Sequence, residues 1–124
     1  MTDAQVEAID NLTESFMSSG KQTAFDKLFL YIKMMFRKEE EEYREHGHPD
    51  LGVHIALHKE FERFLFFFNQ KFFIERSKAI DLTETCLYIK NWTVLHNECY
   101  DEFMMPYIKI NKFIEENHRA VQRP

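Results

Sequence analysis

Three histidines, His54, His58 and His96, and two carboxylates, Glu39 and Asp101, carry the chemistry of this 124-residue chain. His54 and His58 form an H-x-x-x-H pair, which on a helix points both imidazoles to one face, where they can reach one ion. His96 opens an H-x-x-x-x-D unit that ends at Asp101, and Glu39 begins a run of four glutamates. Burying three imidazoles and two carboxylates is costly unless each is compensated. A divalent or trivalent cation supplies that compensation, so the set reads as a metal site. Any one of these histidines alone fits equally well as a hydrogen-bonded core residue or a surface residue.

The elements that must position them read as helices. Only three glycines and three prolines leave few breaks for a many-turned β fold, and thirteen phenylalanines provide a large apolar core for a single domain spanning 1–124. A first helix is expected from about Asp3 to Ser19, with Val6, Ile9, Phe16 and Met17 at helical spacing and Gly20 as its stop. Thr23 with Asp26 reads as the cap of a second helix that carries Phe25, Leu28, Phe29, Ile32, Met35 and Phe36 into the glutamates. Glu45 to Asp50 is a loop punctuated by Gly47 and Pro49. A third helix follows from about Leu51 to Arg76. Asp81 with Glu84 caps a fourth, which carries Cys86, Ile89, Trp92, Thr93, His96 and Phe103. After Pro106, residues Ile108, Ile110, Phe113 and Ile114 form a short amphipathic extension. Short connections between long helices favour an antiparallel up-down-up-down four-helix bundle, so the fold class is all-α.

Composition excludes other classes. The net charge of −5 and the lack of a basic stripe argue against a nucleic-acid partner. The longest apolar run, Phe64 to Phe68, is too short to cross a bilayer, and no signal segment opens the chain. Cys86 and Cys99 fall on one helix about 20 Å apart and cannot pair within the chain. A cytoplasmic location is the simplest expectation. Cys99 reads as a buried small hydrophobe, and His46, His48 and His118 as surface histidines. The stretch from Phe61 to Phe68, followed by Phe72 and Phe73, is apolar around most of its helix. Either the extension after Pro106 covers it, or a second subunit does, which makes a homodimer through the third helix one of two expectations.

In an antiparallel pair, residues equally far from the connecting loop share a height. Glu39 and His54 are equidistant from the His46–Gly47 bond, and His58 and His96 from Ser77. Glu39, His54, His58 and His96 are therefore expected within about one turn of each other. Trp92, one turn before His96, is placed to pack against them.

On these residues the chain resembles the hemerythrin family. Phe36-Arg37-Lys38-Glu39-Glu40 is similar to the family's H-F-x-x-E-E segment from its second residue onward. The step from Glu39 to His54 and then His58 follows the family pattern. Leu87 to Tyr100 resembles the W-x-x-x-H motif, with Asp101 at the matching place. The resemblance implies a non-haem iron centre in the bundle core and O2 or another small diatomic molecule as ligand. His54, His58 and His96 would be the nitrogen ligands of one iron, and Glu39 and Asp101 the carboxylates bridging to a second. A five-residue step turns Asp101 about 140° from His96 on a regular helix, so its carboxylate must swing back or the helix must widen.

Two family histidines are absent. Met35 stands where one is expected, and no histidine precedes His46. Matching Ile9-Asp10 to the family's I-D-x-x-H would put Thr13 at the first-helix ligand, whereas the level argument about the Gly20–Lys21 bond places Val6 or Glu7 opposite Met35. Met35 itself suits the core better than a hard ferric ion. Glu7, Asp10 and Glu42 are the available substitute oxygens. The expected protein thus binds one iron, with the second site degraded or altered. The alternative is a metal-free or sensory interaction bundle that keeps the fold. No separate acid, base or substrate pocket marks an enzyme, an oxidase or peroxide-consuming centre being the enzymatic variant.

Overall fold

A computed structural model of the chain describes residues 1–103, with side chains through Cys99. The described residues form a four-helix bundle without strands: α1 Asp3–Ser19, α2 Gln22–Glu45, α3 Leu51–Asn69 and α4 Leu82–Phe103. The expected extension after Pro106 lies outside them.

Local chemistry sets the ends. Thr2 and Gln5 form a reciprocal capping box at the start of α1, and Gly20 closes it in the left-handed conformation (φ 62°), its amide donating to the Phe16 carbonyl at 2.7 Å. Asp81 caps α4 as expected, its carboxylate accepting from the Glu84 amide at 2.8 Å. The expected Thr23–Asp26 cap does not form. Lys21 is the residue before α2 and makes no side-chain cap, while Asp26 accepts from the Gln22 side chain, which also reaches Asn69 on α3. The third helix does not run regularly to Arg76 either. Gln70–Ile74 widens into a π-helical segment, with the Glu75 amide bonded to the Gln70 carbonyl, and Arg76 at φ 51° ends it.

Gln22 meets Asn69 at one end of the α2–α3 pair, and Tyr43 packs against His54 at the other. Phe16, Phe25 and Phe68 pack with centroids 5.3–5.8 Å apart near the Gly20 end of the bundle, with Phe73 against them. The histidines sit toward the other end. Phe66 and Phe67 stay 66% and 52% exposed, with the Lys71 ammonium over the Phe67 ring. No helix among them is long and apolar enough to cross a membrane.

Candidate metal centre

His54 and His58 come from α3, His96 from α4 and Glu39 from α2, and all four side chains are buried. One ring nitrogen from each histidine lies within 4.8 Å of the other two. His58 Nε2 is 3.1 Å from His96 Nε2, and Glu39 Oε1 is 2.7 Å from His96 Nε2 and 3.2 Å from His58 Nε2. Metal–nitrogen bonds of ~2.1 Å put neighbouring ligands of an octahedral ion about 3.0 Å apart. The three measured separations match that edge length. In addition, the buried Nδ1 of His54 has no hydrogen-bond partner among the described residues. The donor set of imidazoles and one carboxylate therefore fits a borderline transition-metal ion such as iron.

The cluster is oriented from outside. Glu40 Oε2 lies 2.7 Å from His58 Nδ1. With the proton on Nδ1, that nitrogen donates to Glu40 and leaves the Nε2 lone pair facing His96 and Glu39. Glu40 is in turn paired with Arg37 at 3.2 Å, and Arg37 also holds Glu62 on α3. Aromatic faces fix the rings. Phe36 stacks on His58 at 4.0 Å, Trp92 stacks on His96 at 4.7 Å as expected, and Phe61 stacks behind Trp92 at 4.0 Å.

Electrostatics favour the ligating forms. Burial pushes the Glu39 carboxyl up, but its close contacts with His58 and His96 outweigh it and hold the group well below the usual carboxylate range. Its second oxygen is 3.0 Å from the Met1 amino group. Burial, reinforced by the neighbouring His96 and His58, lowers the His54 imidazole to about 4, so it is neutral at physiological pH.

Several expectations require correction. Glu39 faces His58 rather than His54, and His54 packs against Tyr43, so α2 and α3 are offset by about one turn from the anticipated level. The reason is that α2 continues through Glu45, which moves the turn toward Asp50. Glu40, outside the expected ligand set, is buried beside Glu39. Adjacent helix positions differ by ~100°, so Glu39 turns to α4 while Glu40 turns to α3. His48 is buried against Tyr43, with its Nδ1 accepting from the Asp50 amide. Cys86 is the buried thiol, pushed up to about 11 by burial, whereas Cys99 is exposed. Glu7 and Asp10 are exposed and supply no oxygen to the core. Met35 is half-buried against the apolar core, as expected. Thr13 is fully buried with its hydroxyl donating to the Ile9 carbonyl at 2.7 Å. The Asp101 side chain lies outside the described residues.

Comparison of the chain with family models, with curated proteins and with solved structures returned no match.

Proposed function

We propose that this chain is a hemerythrin-like metal-binding protein that holds one iron in its bundle core through His54, His58, His96 and Glu39. The observation that carries this reading is the convergence of three buried imidazoles within 4.8 Å of one another, with the Glu39 carboxylate against two of them, beside Phe36 and Trp92. When bound, iron supplies a redox-active centre with a coordination position for O2 or a related small ligand. The chain's own part is to hold the His54 imidazole neutral, to orient His58 through Glu40, and to wall the rings with stacked aromatics. Sharing two electrons between two irons, as reversible O2 carriage does in the family, needs the second set of ligands. Here Met35 packs on the core and the Thr13 hydroxyl is engaged by Ile9, so the second site is degraded.

A second reading is a metal-free sensory or interaction bundle. It is favoured by the way the cluster pairs with itself: His96 with Glu39, His58 with Glu40, and the Met1 amino group with Glu39. The His54→Ala/His58→Ala double variant separates the two. Metal content and metal-dependent thermal stabilisation should disappear in it; a wild-type chain that never takes up metal favours the second reading. The reduced thiols of Cys86 and Cys99 agree with a cytoplasmic setting.

A further inference from the structure

The histidine cluster is not sealed on all sides. Between α3 and α4 a cleft of about 230 Å³ is lined by His54, Leu57, Trp92, Leu95, His96 and Cys99. Its mouth is apolar and exposed: Leu57 is 43% and Leu95 62% accessible. Its floor is the edge of two of the three histidines. A neighbouring hollow of about 370 Å³ continues along the same helix pair past Phe61, Phe64 and Tyr88. Exposed leucines at the entrance and buried imidazoles at the end form a graded path from solvent to the ring nitrogens.

Size and polarity select what can use such a path. An apolar cavity of roughly 150 Å³ is enough to bind benzene or xenon. An anion entering here would shed its hydration against Leu57, Trp92 and Leu95 without polar replacement.

We infer that this cleft is the entry and holding site for a small uncharged apolar molecule, which reaches the centre past Leu57 and Leu95 on the His54–His96 side. The inference deepens the metal-site reading, on which its second test arm rests. Cys99 stands at the rim as an exposed thiol and takes no part in holding the ion.

The first arm uses metal-free protein. Xenon titration followed by methyl NMR should give saturable shifts at the Leu57 and Leu95 methyls, and Leu95→Trp should abolish those at Leu57. Leu95 is largely exposed, so the variant retains the core. Absent or non-saturable shifts, or shifts at Leu57 unchanged by Leu95→Trp, overturn the cleft. The second arm uses iron(II)-loaded protein and nitric oxide in stopped flow. Leu95→Trp should slow nitric oxide association about tenfold while iron content stays at the wild-type level. An unchanged rate overturns the inference. A chain that takes up no iron defeats the metal reading alone, and the xenon arm then decides the cleft.

Discussion

Glu40 Oε2 lies 2.7 Å from His58 Nδ1, and that contact settles which way the other nitrogen of the ring faces. With Nδ1–H donating to the carboxylate, Nε2 turns its lone pair toward His96 and Glu39. A glutamate outside the anticipated ligand set therefore orients one of the proposed ligands.

Glu40→Gln should weaken metal binding about 10- to 100-fold while leaving the stoichiometry unchanged. The amide can still meet Nδ1, but it no longer favours the donor tautomer through charge. Competition with a chelator measures the affinity. Wild-type affinity in the variant would show that Glu40 is only a partner of Arg37.

Phe36 is fully buried and stacked on His58, so Phe36→Ala should cost about 3–5 kcal/mol of unfolding free energy. Denaturant melts check this. Added metal should recover part of the loss by mass action, because it binds the folded state.

Acid should destabilise the metal-free protein. The His54 imidazole lies near 4 in the folded chain, below its ordinary value of 6.5, so the unfolded chain takes up the proton more readily. Its contribution is complete above pH ~6.5 and is lost as pH falls toward 4, with a ceiling of about 3 kcal/mol. The Glu39 carboxyl, held below its usual range, acts in the same direction at lower pH. Unfolding free energies between pH 7 and 4.5 should fall for the wild type and fall less for His54→Asn. Identical slopes would remove His54 as the cause.

A second site should be restorable only at the right height. The Met1 amino group meets Glu39, which sets the α1–α2 register and puts Val6 near the level of Met35. Val6 also lines a cleft of about 420 Å³ with Ile9 and Thr93 between α1 and α4, which leaves room for an imidazole. Met35→His with Val6→His should raise iron binding toward two per chain. Met35→His with Thr13→His should not, because Thr13 lies two turns further along α1. Success at Thr13 would reverse the register.

The helices and three histidines were legible because they rest on local signals: Gly20, the Asp81–Glu84 cap, apolar spacing and the H-x-x-x-H step. The α3–α4 level was legible as well, and His58 does meet His96. The α2–α3 level was not, since the last turn of α2 depends on how far a glutamate-rich end continues before the turn at His46 to Asp50. That same offset hid Glu40, whose burial comes from facing α3 at the shifted height. Cys86 and Cys99 are chemically alike in the sequence, and only packing separates the buried thiol from the one at the cleft. The π-helical widening at Gln70–Ile74 is likewise a tertiary outcome of seating Phe72 and Phe73 against Phe68.

The central claim is one metal on His54, His58, His96 and Glu39. Its most direct measurement is the iron content of anaerobically loaded, desalted protein, read together with the optical spectrum after exposure to air. Close to one iron per chain, no strong oxo-bridged di-iron absorption, and loss of the iron in His54→Ala/His58→Ala is the expected result. Two irons per chain with that absorption, or iron retained by the double variant, would contradict it.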